Sequence, residues 1–306
     1  MRFGLETLID AELTAYAEES RQYNAARPAA SGPADFDELR QARDRQADSQ
    51  SPSSARAVER LAEAGGRSVP VRIIAPRATT LRGVHLDIHA GGFYMGSAVR
   101  DDTRNERLAD ALGAVVVSVD YRLAPEHPWP AAPDDCETAA RWLVEQAETV
   151  FGTSNLTLGG ASAGANLAMA TLLRLRDSGL VDRFAGAALQ FGAYDLSGQT
   201  PGGRLYADEY FIPAYVGHVT DRTHPDISPL FGDLRDLPPT LLVVGASDIL
   251  LEDNLALAAR LCAARNDLDV RVYPESVHGF TSSPTTMAAK AIEHVGAWLT
   301  KRLGQD

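Results

Sequence analysis

The chain is short of positive charge, of cysteine and of long apolar runs, and each shortage excludes something. Its 29 Lys and Arg stand against 41 Asp and Glu, a formal net charge of −12. A field of that sign repels phosphate backbones, which excludes nucleic acid as the main partner and leaves the substrate unidentified. No apolar stretch approaches the roughly 20 residues of a membrane-spanning helix, so no span is expected. The first ten residues, Met1 to Asp10, lack the continuous apolar core of a signal peptide. The two cysteines, Cys136 and Cys262, lie in helical-looking segments and in no metal-ligand spacing. Buried free thiols and a reducing, cytoplasmic location are the expectation. Internal repeats are lacking as well, and the one biased tract is a polar run at 41–54.

What remains is the composition of an ordinary globular enzyme. With 306 residues, 45% hydrophobic and 23% charged, the chain can bury one large core, or one core plus a small lobe. Residues 1–66 are rich in Ala, Glu, Arg, Gln and Ser, with helical spacing at Leu5, Leu8, Ile9, Leu13 and Tyr16. They read as two or three helices with joints at 27–33 and in the polar run. From Ser68 onward, β-branched apolar runs alternate with helical segments. Strands are expected at 69–75, 83–89, 114–120, 156–159, 186–191, 240–245 and 269–273. Helices are expected at 104–112, 134–150, 165–178, 254–264 and 284–303. That alternation predicts an α/β fold with a mostly parallel central β-sheet flanked by helices. The first strands have no helix between them and are candidates for antiparallel pairing. One stretch, 197–233, is too long for a routine connection and reads as a lid or accessory element.

Within this pattern Gly160-Ala161-Ser162-Ala163-Gly164 lies between an apolar strand and an alanine-rich helix. A nucleophile at a strand-to-helix turn needs small flanking residues, and Gly160 and Gly164 let strand and helix approach closely. The helix N-terminus beneath it offers free N–H groups to a developing negative charge. Alone, the pentapeptide is a motif that chance produces in Gly-rich chains, so its partners must decide.

Four features supply them. After the strand ending at Ile88 comes His89-Ala90-Gly91-Gly92-Phe93, where a Gly-Gly pair lets backbone N–H groups face a reacting carbonyl unobstructed. His89 precedes the nucleophile and ends a strand, which suits a supporting role in holding this loop. Asp248 follows the strand 240–245, at the sheet edge where α/β folds place their ligands. His278 follows the strand 269–273. The order Ser162, Asp248, His278 is that of α/β-hydrolases. A neutral hydroxyl needs a base, imidazole titrates near working pH, and a carboxylate fixes its tautomer. Glu252 and Asp253 are the alternatives for the acid, lying further into the next element. His127 and His294 are those for the base, one flanked by proline and one in a helical pattern.

With these residues in place the chain resembles the bacterial hormone-sensitive-lipase-like branch of α/β-hydrolase carboxylesterases, from about Ser68 to the C-terminus. The most specific segment is Asp120-Tyr121-Arg122-Leu123-Ala124-Pro125-Glu126-His127-Pro128-Trp129-Pro130-Ala131-Ala132-Pro133-Asp134-Asp135, similar to the family signature between oxyanion loop and nucleophile. His89 to Gly92 is similar to the family's HGGG loop. By position Gly91, Gly92 and Ala163 would supply the oxyanion N–H groups. Two residues depart from the pattern: Ala161 stands where GDSAG has Asp, and Ala90 where HGGG has its first Gly. The resemblance implies a helical cap over the triad, made of residues 1–66 and an insertion at 197–233 in a catalytic domain of residues 67–306. It also implies dimerisation through a sheet edge.

The expected activity is serine carboxylesterase chemistry on small-molecule esters with short-to-medium acyl groups, through an acyl-enzyme and with no cofactor or metal. Two rivals stay open here. One is an amidase, such as an aryl-formamidase, using the same triad. The other is a non-catalytic small-ligand receptor of this fold, which the presence of His278 argues against.

Overall fold

The computed structural model describes residues 4–27, 32–48 and 53–304. Eight strands form one sheet in the order β1-β2-β4-β3-β5-β6-β7-β8. They are β1 (Ala57–Ala64), β2 (Arg67–Ile74), β3 (Val84–Ile88), β4 (Val115–Val119), β5 (Leu156–Ala161), β6 (Phe184–Gln190), β7 (Thr240–Gly245) and β8 (Leu268–Tyr273). β1 and β2 pair antiparallel, as do β2 and β4, while β3 to β8 run parallel. The central parallel strands are buried on both faces, which is why Val115-Val116-Val117-Ser118-Val119 reads as a continuous apolar run rather than an alternating one.

Nine α-helices cover the described residues. They are α1 (Ala17–Ala25), α2 (Phe36–Asp48), α3 (Asp102–Leu112), α4 (Ala131–Phe151), α5 (Ala163–Asp177), α6 (Pro201–Arg204), α7 (Phe211–Val216), α8 (Leu251–Ala263) and α9 (Thr286–Leu303). Because side chains alternate across a strand, the sheet feeds two cores. Leu86, Leu158, Leu189 and Leu242 point into one, shared with Cys136 of α4 and Leu167 of α5. Ala161, Ala188, Leu241 and Val243 point into the other, shared with Met287, Val295 and Leu299 of α9. α3 packs beside α9.

Three expectations need correction. Residues 57–64 form an edge strand, so the sheet begins ahead of residue 67 and residues 1–66 are not wholly helical. The segment also divides in two. Leu13 is buried in the α9-side core, with Leu5, Leu8, Ile9 and Tyr16 packed against it. The helical stripe is therefore spent on the body of the molecule rather than on a cap. Among the described residues of this segment, those that reach the large cleft at the sheet edge are Gly32, Pro33 and part of α2, along its rim. Finally, Cys136 is buried but Cys262, on the outer side of α8, is exposed; both are free thiols. Among the described residues no helix is long and apolar enough to cross a membrane.

Candidate active site

The parallel strands bring four loops to one edge of the sheet, because β3, β5, β7 and β8 all end there. His89–Gly92 follows β3, Ser162 follows β5, Asp248 follows β7 and His278 follows β8. Chain order thus becomes spatial proximity at the C-terminal edge.

Ser162 occupies a strained turn, with φ 54° and ψ −119°, between β5 and α5. Its N–H donates to the Gln190 carbonyl, and its own carbonyl accepts from Ala165 and Asn166 at the start of the helix. The glycines are there because backbone is in the way. A Cβ at Gly164 would lie 2.0 Å from the Ile88 carbonyl oxygen, and one at Gly160 would lie 2.4 Å from the Gly164 oxygen. Strand, turn and helix are consequently pressed onto the end of β3, with the hydroxyl exposed above.

Ser162 Oγ stands 3.0 Å from Nε2 of His278. Nδ1 of His278 faces both oxygens of Asp248, at 3.1 and 3.2 Å. The Asp248 side chain is fully buried, while the imidazole is 37% exposed toward the cleft. One Asp248 oxygen also accepts from the Leu250 N–H at 2.8 Å, which holds the carboxylate in place. The two loops are laced together, since Ala246 N–H donates to the Tyr273 carbonyl and Ser247 N–H to that of Ser276. Phe191 adds an edge-on contact to the imidazole, with ring centroids 5.2 Å apart. Nothing in the sequence singled out Phe191 beyond its place at the end of an expected strand.

The Gly91–Gly92 pair is left-handed. Gly91 has φ 130°, and a Cβ there would lie 2.0 Å from the Met95 carbonyl oxygen. Neither N–H has a hydrogen-bond partner among the described residues. Ala163 is the first residue of α5, where an N–H has no intrahelical acceptor. All three residues line one cleft with Ser162 and His278, about 1840 Å³ in volume.

The segment 120–135 braces this loop. The Tyr121 hydroxyl donates to the His89 carbonyl, and its ring stacks on the imidazole at 4.0 Å. Ala124 N–H donates to Phe93, Asp120 accepts from Ala98 N–H, and Asp135 grips Arg122 at backbone and guanidinium. His89 Nδ1 faces the Ala90 carbonyl at 2.8 Å, so that nitrogen carries the proton. Burial pushes the imidazole pKa down, which keeps the ring neutral. His89 is a strut of the glycine loop.

The alternative acid and bases are occupied elsewhere. Asp253 is buried in α8 and accepts from the Tyr206 hydroxyl and from the N–H groups of Tyr194 and Asp195. Glu252 lies beside it in the first turn of α8. His294 pairs with the Tyr273 hydroxyl and Glu12, and His127 is exposed on the 120–135 segment. Among the described residues no group of three or more His, Cys, Asp or Glu is placed to hold a metal ion.

A family model described as alpha/beta hydrolase fold matches residues 85–282. An acetyl-hydrolase of Streptomyces hygroscopicus is 32% identical over 236 residues, covering 72% of this chain and 76% of that protein. An esterase of Pyrobaculum calidifontis superposes with a TM-score of 0.82 at 27% identity, over 97% of this chain and 100% of its own. A solved esterase from the bacterial hormone-sensitive lipase family gives 0.74 at 29% identity, over 96% of this chain and 99% of its own.

Proposed function

We propose, on the premise that this chain belongs to the hormone-sensitive-lipase-like α/β-hydrolase carboxylesterases, that its ester hydrolysis runs through Ser162, His278 and Asp248. The single observation that carries the reading is the unbroken chain from Ser162 Oγ through the imidazole to the buried Asp248 carboxylate, at 3.0 and 3.1 Å. His278 Nε2 takes the Ser162 proton as Oγ adds to the ester carbonyl. Asp248 holds the tautomer with Nδ1 protonated and stabilises the imidazolium. The oxyanion is received by the N–H groups of Gly91, Gly92 and Ala163, the last reinforced by the α5 N-terminus. Collapse expels the alcohol, protonated by His278, and leaves an acyl-Ser162 that water hydrolyses.

Short-to-medium acyl groups fit the cap side of the cleft, which is walled by Phe93, Tyr94, Tyr206 and Phe211. The relative named acetyl-hydrolase supports the same preference. Two free thiols agree with a reducing, cytoplasmic location. The test is p-nitrophenyl butyrate hydrolysis by Ser162→Ala. Activity should fall by at least about 10³-fold, and a fluorophosphonate should label the parent but not the variant. Full activity in Ser162→Ala would end the assignment.

A further inference from the structure

The cleft does not stop at Ser162. Beyond the nucleophile it continues onto the α3/α9 face of the sheet, and this second arm differs chemically from the cap side. His85, Asp87 and His89 share one face of β3 and all line the cleft, so the arm descends about 13 Å along the strand. Its sheet wall carries His85, Asp87 and Gln190, and its rim carries Thr281, Ser282 and Ser283. Asp87 is buried and paired with Arg104 of α3. His85 holds Thr157 through Nδ1, and burial together with Arg104 pushes its pKa down to about 3, so it adds a polar but neutral ring. The helical wall is apolar, at Leu108, Val295 and Leu299, and the sheet wall adds the small apolar residues Ala161 and Ala188.

Exposed residues line the arm. Thr103, Arg107 and Ser282 along it are exposed, and Ile292 is 50% exposed. In its wall, Gly296 of α9 is buried, yet a Cβ there would meet nothing within 4 Å. The small residues Ala161 and Ala188 keep the arm open where it joins the nucleophile. A hydrocarbon chain laid here would strip water from the part-exposed Arg104 guanidinium and from the Gln190 amide, at a cost in free energy. Small, neutral, hydrogen-bonding molecules suffer no such penalty.

We propose that this arm is the water entrance of the enzyme: it delivers the deacylating water to the acyl-enzyme while the acyl group fills the aromatic cap side. The proposal rests on Ser162 as the acylated residue. In the step it serves, water gives a proton to His278 Nε2 as its oxygen bonds to the acyl carbon. The tetrahedral intermediate then collapses, the bond from carbon to Ser162 Oγ breaks, and the proton passes from His278 to that oxygen. The carboxylic acid leaves and Ser162 is restored.

Gly296→Leu fills the arm from a helix that carries none of the catalytic groups, and Ile292→Trp narrows its mouth from the surface. Stopped-flow hydrolysis of p-nitrophenyl butyrate separates acylation, seen as a burst of p-nitrophenol, from deacylation, seen as the steady rate. The expected result for Gly296→Leu is a burst rate within twofold of the parent and a deacylation rate at least fivefold lower. Ile292→Trp should shift in the same direction by a smaller factor, and it keeps the test alive should Gly296→Leu not fold. Unchanged deacylation in the folded variants would overturn the proposal. So would a changed acyl-chain-length preference with acylation slowed equally, since the arm would then hold substrate. Fluorophosphonate labelling of the parent at Ser162 keeps the two readings apart. An unlabelled parent defeats the nucleophile assignment, and a labelled parent with unaltered deacylation in the variants defeats only the water entrance.

Discussion

Ser162 holds a backbone conformation that L-residues seldom adopt, with φ 54°, and the surrounding packing must sustain it. The device that does so is the absence of side chains around it. Gly164 faces the carbonyl oxygens of Ile88 and His89, at 2.0 and 2.6 Å from where a Cβ would be. Both obstructing atoms are backbone, at the end of β3 and the residue after it, where the chain enters the glycine loop, so neither can swing aside. Gly164→Ala should therefore cost at least about 2 kcal/mol in urea unfolding, and should displace Gly91 and Gly92 together with Ser162. A variant of unchanged stability would show that the elbow tolerates a wider separation from β3. Ala161 illustrates the opposite case. Its small side chain faces the α9-side core and the second arm of the cleft, a consequence invisible in the bare motif.

At the level of elements, α8 ties the loop after β7 to the 194–206 segment. Asp253, in its first turn, gathers the N–H groups of Tyr194 and Asp195 and the hydroxyl of Tyr206, whose ring lines the cleft. Despite these donors, burial raises the Asp253 pKa from 3.8 to about 6. The folded protein thus holds this proton more tightly than the unfolded chain does. The contribution to stability is full below about pH 4 and is lost as pH rises through about 6, amounting to roughly 3 kcal/mol for a shift of that size. Asp253→Asn imitates the protonated form. Its stability relative to the parent should improve between pH 4 and pH 7 by up to that amount, measured by urea unfolding at each pH. A difference that stays flat with pH would show that the carboxyl titrates normally. Sequence reasoning had Asp253 as a candidate acid for His278. Position along the chain already favours Asp248, since Asp253 lies further into the next element, and the structure adds that the Asp253 side chain meets Tyr206 while Asp248 meets His278.

Across the whole molecule, two arginines fasten α2 and the 197–233 segment to the rest of the fold. Arg43 of α2 donates to the carbonyls of Tyr94 and Ala124 and pairs with Glu126, which pins the N-terminal rim of the cleft to the loop beside the glycine pair. Arg174 of α5 makes a two-pronged pair with Asp226, at 2.6 Å on each prong, and also reaches Asp134 and Glu137 of α4. Asp226 is buried, accepts from the Trp129 indole as well, and belongs to the 197–233 insertion. Arg174→Ala leaves that carboxylate without its cation. The expected cost is roughly 3 kcal/mol by chemical denaturation, with earlier proteolytic cleavage inside the insertion. Cleavage and stability matching the parent would mean that the insertion is held by apolar packing alone.

Much of this was legible along the chain. Periodicity placed strands and helices to within a few residues, because a parallel sheet buried on both faces leaves continuous apolar runs. The order Ser162, Asp248, His278, each just past such a run, anticipated that the three side chains meet, because parallel strands must deliver their C-terminal ends to a common edge. What the sequence determined by itself was therefore local pattern and chain order. Only tertiary structure decided that Leu5 to Tyr16 pack on α9 rather than over the cleft, that residues 57–64 extend the sheet, that Asp253 faces Tyr206, and that the cleft continues behind Ser162. Each of these depends on which distant surfaces meet and how much space they leave, and no spacing along the chain encodes that.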